Sequence, residues 1–392
     1  MLRHVASGKG IPVKVLQLFN NWKWTGPAEY ALNLAAELTA SGIDTIFACG
    51  RPPAGEEENT ARIARERGLE PVTDFSLSKH FDLRAALTAV RGLRQFIERE
   101  RITLLHTHLT NGHLLGALAV RGTQPRPALI RTCYESSDGT IRDRLLSRYA
   151  ADGIIAVSTM TQRSLTGQQR IPAEKVLLAP AAIDTHRFDP ARGTGDNRAC
   201  WGIAPDTPVV GIVARVQMHR RFHIFLEAVR LACREIPDLK VMVIGRGTHI
   251  SKLAVDPVHN MGLQKHFVFT GYRKEDYVET LNCLDIKIFL VPGSDGSCRA
   301  VREAMALGKP IIAARRGMLP EIVDHAVNGL IIDDSSPASL ASAIVYLVRN
   351  KTVRLQYGQD ALKKAHSEYS LKLQAKKIVA FYEAVLAART PE

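Results

Sequence analysis

Two stretches of this sequence concentrate side chains that can hold an anion. The first runs Asp295-Gly-Ser-Cys-Arg-Ala-Val-Arg-Glu303-Ala-Met-Ala-Leu-Gly-Lys-Pro310. It follows an apolar run at 286–291, so Gly296 and Ser297 are predicted to open a helix that ends at Gly308, a glycine placed to stop it. The free N–H groups and partial positive charge of a helix start favour phosphate. Asp295 stands just before that start and Glu303 about two turns in. At a rise of about 1.5 Å per residue the two lie roughly 12 Å apart. That is too far for a shared acid–base pair but suits two carboxylates gripping opposite ends of one long ligand. The same residues also fit a plain N-cap Asp and a solvated Glu. The second stretch is Gly211-Ile-Val-Ala-Arg215-Val-Gln-Met-His-Arg220-Arg221, where three arginines and His219 crowd the loop after an apolar strand. A guanidinium is a good bidentate phosphate donor; a solvated basic loop is the alternative.

Three further segments are weaker. Lys240-Val-Met-Val-Ile-Gly245-Arg-Gly247 is a strand ending in a glycine turn, without the full spacing of a dinucleotide fingerprint. His106-Thr-His108 closes a strand ahead of Asn111-Gly112. It lacks a third ligand at compatible spacing, so a polar strand end facing a cleft is preferred to a metal site. Gly317-Met-Leu-Pro-Glu321 follows a strand and begins a helix whose N–H groups could meet an anion or a sugar hydroxyl.

The elements that must position these residues alternate. Strand-like apolar runs fall at 13–19, 45–49, 102–106, 128–133, 153–157 and 176–179, with helical periodicity between them, clearest at 28–38 and 83–100. A polar, glycine-rich segment at 189–198 is predicted as a linker. The alternation then restarts, with strands at 209–214, 240–244, 267–270, 286–291, 310–313 and 329–332 and helices between them and to the end, the last run from about Pro337 to Leu386. Such alternation predicts two doubly wound parallel sheets, with ligands beyond the carboxyl ends of the strands, in the cleft between two domains.

Size and charge agree. The 392 residues suggest two domains, and 46% hydrophobic with 23% charged residues is ordinary for a globular chain. The formal charge of +13 is spread evenly: 26 basic against 20 acidic residues in 1–200, and 26 against 19 in 201–392. With no basic tail, nucleic acid is not expected as a partner; a diffuse positive field suits an anionic small ligand, an anionic membrane surface, or solubility alone. The six cysteines form no Cys-x-x-Cys pair, which reads as reduced core cysteine in a cytosolic protein. The first residues lack an apolar signal core, and no run approaches the length of a membrane span.

The order and spacing of these segments resemble glycosyltransferase family 4, the retaining nucleotide-sugar transferases of the GT-B fold. The family's segment E-G-F-G-x4-E-A-M-A-x-G-x-P is similar to 295–310, with Asp295 for the first Glu and Ser297-Cys298 where Phe and Gly usually stand. Ala214-Arg215 with Arg220 resembles its G-R-x4-K, Gly317-Met-Leu-Pro-Glu321 its G-G-x-P-E, and Asn328-Gly-Leu330 its N-G-L. In the first half, Thr25-Gly-Pro-Ala-Glu29 resembles the G-G-A-E loop and His106-Thr-His108 the H-x-H strand end. Cys133-Tyr134 stands where the family often has a His, and Pro180-Ala-Ala-Ile-Asp184 replaces P-N-G-x-D.

The resemblance implies an α/β protein of GT-B type. It would have two facing Rossmann-like domains, an acceptor-side domain over 1–190 and a donor domain over 191–370, and a C-terminal helix over 371–392 crossing back to the first. It implies that Arg215 and Arg220 neutralise the donor diphosphate, that Glu303 holds ribose hydroxyls, and that Asp295 meets the donor sugar. Gly26, Gly245, Gly296, Ser297, Cys298 and Arg299 complete the donor contacts, and His108, Asn111 and Tyr134 lie on the acceptor side. No metal and no cofactor are expected, since Asp-x-Asp is absent. The partners implied are a nucleotide sugar, a glycan or glycolipid acceptor of cell-surface or lipopolysaccharide type, and a peripheral contact with an anionic membrane from the cytoplasm. A sugar-nucleotide epimerase of the same fold, or a non-catalytic sugar-nucleotide binder, are the rival readings.

Overall fold

A computed structural model describes residues 13–75, 77, 83–134, 141–192, 197–291, 298–333 and 336–389. The chain divides into two compact units, 1–181 with 371–392, and 182–370.

In the first unit, strands β1 (Lys14–Phe19), β2 (Asp44–Cys49), β3 (Leu104–His108), β4 (Ala128–Cys133), β5 (Gly153–Ala156) and β6 (Val176–Leu178) alternate with helices α1 (Gly26–Ala40), α2 (Thr60–Glu66), α3 (Leu83–Arg99), α4 (Thr110–Val120), α5 (Ile141–Tyr149) and α6 (Thr159–Arg163). All neighbours pair in parallel, in the order β2-β1-β3-β4-β5-β6. Parallel strands covered on both faces are mostly apolar; β3 and β4 are buried along their whole length, with His106, Thr107, His108, Arg131 and Thr132 as buried polar exceptions toward their carboxyl ends.

In the second unit, β7 (Val209–Val213), β8 (Lys240–Ile244), β9 (Phe267–Gly271), β10 (Ile286–Phe289), β11 (Ile311–Ala314) and β12 (Gly329–Ile332) alternate with α7 (Phe222–Glu235), α8 (Asp256–Asn260), α9 (Tyr277–Asn282), α10 (Arg299–Ala306), α11 (Leu319–Ile322), α12 (Pro337–Arg349) and α13 (Lys351–Glu368). The order is β12-β11-β10-β7-β8-β9, again all parallel. This is the doubly wound order in which the first and fourth strands lie side by side at the centre. One core cluster packs α9 and α10 on the sheet, the other α7 and α12.

The last helix, α14 (Leu371–Ala387), belongs to the first unit. Ala375, Ile378, Tyr382 and Val385 pack with Val15, Leu34, Leu104 and Ile155. Gly153 makes room: a Cβ there would lie 2.8 Å from the Phe381 ring. Arg389 donates to the carbonyls of Pro127 and Arg126 and so ties the end of the helix down. Two Rossmann-like units with a C-terminal helix packed on the first are therefore present, and the predicted run from 337 to 386 resolves into three helices. The segment 189–198 lies inside the second unit, where Arg198 is buried and bonds the carbonyls of Pro205, Thr207 and Cys283.

Candidate functional site

Ligands of open parallel sheets sit where the strand order reverses. In the second unit that point lies between β7 and β10, which pair at Val210–Ile286 and Ile212–Ile288. The loop after β7 is fastened to the loop after β8, Ala214 N–H to the Ile244 carbonyl and Val216 N–H to that of Arg246, at 3.1 and 3.0 Å. Glycine permits this closeness. A Cβ on Gly245 (φ 145°) would lie 2.2 Å from the Ala214 oxygen, and one on Gly247 2.2 Å from that of Val216. Gly245, predicted to face the donor, thus secures the loop that carries Arg215. Arg215 is exposed, while Arg220 is half-buried and donates to the Val291 carbonyl at 2.7 Å. Arg221 turns the chain into α7 with φ 56°, a left-handed value unusual for a non-glycine residue.

On the β10 side, Asp295, Gly296 and Ser297 lie outside the described residues. The helix predicted to open at 296–297 is described from Arg299, with Cys298 buried before it at φ 45°. It ends as predicted at Gly308 (φ 68°): Gly308 N–H bonds Met305 O and Lys309 N–H bonds Ala304 O, a Schellman stop. Glu303 is 4% exposed. One carboxylate oxygen accepts from the Tyr277 hydroxyl at 2.7 Å and the other meets Arg299 Nε at 3.1 Å. Sequence reasoning missed Tyr277, whose aromatic type gave no sign of pairing with a carboxylate 26 positions away. It also missed Lys287, a fully buried amine on β10 with no hydrogen-bond partner among the described residues. Burial pushes the Lys287 amine down to about 7, with the Glu303 carboxylate offsetting part of that shift.

In the first unit the order reverses between β1 and β3, with Phe19 opposite His108. Gly26 is the first residue of α1, whose preceding Thr25 caps the Ala28 N–H. Asn111 sits in the first turn of α4, entered through Leu109 at φ 69°. His108 is wholly buried, and both ring nitrogens hold protein partners: Nδ1 lies 2.7 Å from the Tyr134 hydroxyl and Nε2 2.7 Å from Gln17 Oε1. His106 is likewise engaged, Nδ1 to the Tyr382 hydroxyl at 2.6 Å and Nε2 to Thr132 Oγ1 at 2.7 Å. The strand end is polar as expected, but its two histidines face side chains of their own unit. Desolvation pushes His106 well below the ordinary imidazole value and His108 down to about 3, so both are neutral. Tyr134 is half-buried, its hydroxyl 3.3 Å from the Pro27 carbonyl. Gln17, inside an otherwise apolar strand, was a sequence signal left unused.

Among the described residues no three His, Cys, Asp or Glu side chains gather as a metal site, and no helix is long and apolar enough to cross a membrane. The six cysteines are unpaired with one another, and Cys200 is exposed.

Comparison with known proteins places two family profiles on the chain: Glycosyltransferase Family 4 over residues 24–187 and Glycosyl transferases group 1 over 194–364. A D-inositol 3-phosphate glycosyltransferase of Corynebacterium glutamicum (strain R) is 27% identical over 386 residues, covering 91% of each chain. Among solved structures, a glycosyltransferase from Rickettsia africae ESF-5 superposes with a TM-score of 0.82 at 17% identity, over 96% of this chain and 99% of that one. Anabaena Alr3699/HepE in complex with UDP superposes with a TM-score of 0.80 at 18% identity, over 95% and 100%.

Proposed function

The chain belongs to the glycosyltransferases that these two profiles describe, and from that premise we propose a retaining, metal-independent transfer of a sugar from a nucleoside diphosphate to an acceptor hydroxyl. The observation that carries it is the Arg220 guanidinium donating to the Val291 carbonyl, which ties the basic loop after β7 to the end of β10 where the second sheet reverses order. Arg215 and Arg220 neutralise the diphosphate, which gathers charge as it leaves; charge stabilisation of this kind is usually a large catalytic term. Cys298 and Arg299 bring the first N–H groups of α10 toward the same anion. Glu303 takes the ribose hydroxyls, which must join or displace Arg299, itself 45% exposed. Asp295, Gly296 and Ser297 contact the donor sugar, and Gly245 holds the arginine loop.

The bond from the anomeric carbon to the phosphate oxygen breaks, and a bond to the acceptor oxygen forms on the same face. The acceptor proton passes to the departing diphosphate. Gly26 gives the backbone a close approach to the phosphates, and His108, Asn111 and Tyr134 serve the acceptor side. A fully buried, neutral His108 with both nitrogens engaged supplies no general base, which is consistent with the phosphate taking the proton.

The acceptor we favour is a cell-surface glycan or glycolipid, of the lipopolysaccharide kind, reached from the cytoplasmic face of a membrane. Helix α5 supports this. Ile141, Leu145 and Tyr149, four residues apart, are 80%, 51% and 71% exposed, and the Arg148 guanidinium stacks on the Tyr149 ring. Arg144 lies on the same side of the helix, as its spacing requires. An apolar stripe edged by arginines matches an anionic lipid surface. A thermal-shift screen against a panel of nucleotide sugars tests the donor reading, since a true donor stabilises by mass action. A panel that stabilises nothing contradicts it.

A further inference from the structure

Six side chains of the first unit form one continuous hydrogen-bonded line: Tyr134, His108, Gln17, Tyr382, His106 and Thr132. Its successive distances are 2.7, 2.7, 3.1, 2.6 and 2.7 Å. The line joins the ends of β1, β3 and β4 to the middle of α14, and all six side chains except the half-buried Tyr134 are less than 2% exposed.

A neutral imidazole has one N–H and one lone pair, and an amide has distinct donor and acceptor ends. At the imidazoles and the amide, the direction of each link therefore dictates the next, and at Tyr382 the need to place its own hydroxyl proton does the same. Gln17 Nε2 faces Tyr382 and its Oε1 faces His108. His108 must then carry its proton on Nε2, so Nδ1 accepts from Tyr134. Tyr382, having accepted from Gln17, donates to His106 Nδ1, and His106 Nε2–H donates to Thr132. Every proton points from Tyr134 toward Thr132. The opposite polarity is also self-consistent: Thr132 donates to His106, the amide turns over, His108 carries its proton on Nδ1, and Tyr134 donates to the Pro27 carbonyl at 3.3 Å. The mixed state in which Tyr382 accepts from both Gln17 and His106 keeps every link but strands the buried Tyr382 hydroxyl proton. The two uniform polarities are therefore the ones that satisfy every donor, and bonds aligned head to tail reinforce one another. The burial that keeps both imidazoles neutral preserves this choice between two polarities.

We propose that Thr132 and Tyr382 are positioning residues that act through His106 and Gln17 to commit the Tyr134 hydroxyl proton to His108, leaving the Tyr134 oxygen as a hydrogen-bond acceptor for the incoming hydroxyl. The assignment of that hydroxyl to this unit rests on the transferase reading above; the line itself does not.

The test uses the full chain with 15N-labelled histidine, whose ring shifts report the tautomer of each imidazole. In the parent protein His108 is the Nε2–H form. Thr132→Val removes the acceptor of the His106 Nε2–H, and a buried N–H without an acceptor is the costlier orphan. The line then reverses and His108 becomes the Nδ1–H form. Tyr382→Phe cuts the line, so adding Thr132→Val to it leaves His108 unchanged. This separates a signal carried through Tyr382 from a direct effect of Thr132, which lies opposite His108 in the sheet. With the donor found by the nucleotide-sugar panel, Thr132→Val also lowers kcat by about threefold or more while the donor KM stays within about twofold, the signature of lost orientation with donor binding intact. Overturning results are a His108 tautomer indifferent to Thr132→Val, a response that persists in the Tyr382→Phe background, or an unchanged kcat. The tautomer readout needs no substrate, so its failure sinks the line without touching the transferase reading. Failure of the nucleotide-sugar panel sinks that reading alone.

Discussion

Lys287 sits in an apolar strand with its amine unbonded among the described residues, 5.6 Å from the centre of the Phe289 ring. Burying a polar group without a partner costs about 1–3 kcal/mol, so Lys287→Met is expected to raise the stability of the second unit by about that much. The sign with pH follows from the amine being held down to about 7. The unfolded chain keeps its proton up to the ordinary lysine value, so the penalty is largest below pH 7 and fades as pH rises toward 10.5. Urea melts of the two proteins at pH 7 and pH 10 check this; a gain that grows with pH contradicts it. At the proposed donor site, Arg215→Ala and Arg220→Ala are each expected to weaken binding of the free nucleoside diphosphate of the selected donor by about 1.5–3 kcal/mol, the scale of a charge-assisted hydrogen bond. Calorimetric affinities equal to the parent's would remove both residues from the site. The basic cluster itself is visible in the sequence, directly after an apolar strand. Lys287 and Gln17 were legible only as polar letters in apolar runs, since pairing across the fold leaves no local mark.

The strand-to-helix junctions show where local reading ends. The stop of α10 could be read from Gly308, whose left-handed backbone the Schellman turn uses. Leu109, Arg221 and Cys298 take left-handed values without being glycine, each just before a helix at the carboxyl end of its sheet. Residue type argues against such values, and only the surrounding packing imposes them. Strain of this kind gathers at functional sites. Arg221→Gly should relieve about 1 kcal/mol of it and raise the melting temperature; a lowered one would show that the Arg221 side chain contributes more than its backbone costs. For α5, Leu145→Glu is expected to cut co-sedimentation with phosphatidylglycerol vesicles by at least about tenfold, given the value of burying one leucine, while phosphatidylcholine vesicles bind neither protein. Equal binding by the variant, or a concentration-dependent dimer that Leu145→Glu dissolves, would take this face away from the membrane.

Across the whole chain, the single restart of the strand–helix alternation made the two parallel sheets legible. The return of α14 to the first unit was not legible from local pattern: its apolar stripe shows that it packs, and only the family resemblance said where. That helix packs on the sheet face that buries His106 and His108, while His113 is buried on the other face against Thr107. His106 is held well below its ordinary value, and His108 and His113 are each held down to about 3 by burial. The unfolded chain takes up protons near pH 6.5 that the folded unit refuses until far lower. The first unit therefore loses stability as pH falls below 6.5, by about 4 kcal/mol between pH 7.5 and 5.5 for three such groups. Chemical denaturation across that window checks the slope, and a flat profile contradicts it. The account as a whole stands on retention without a metal. Its most direct test is the anomeric proton, followed by NMR from the first minutes after the full chain is mixed, in excess EDTA, with the nucleotide sugar that the panel selects and with water as the only acceptor. Release of free sugar whose first-formed anomer keeps the donor's configuration is the predicted result. A first-formed anomer of opposite configuration, or release that appears only when Mn²⁺ or Mg²⁺ is restored, would contradict it.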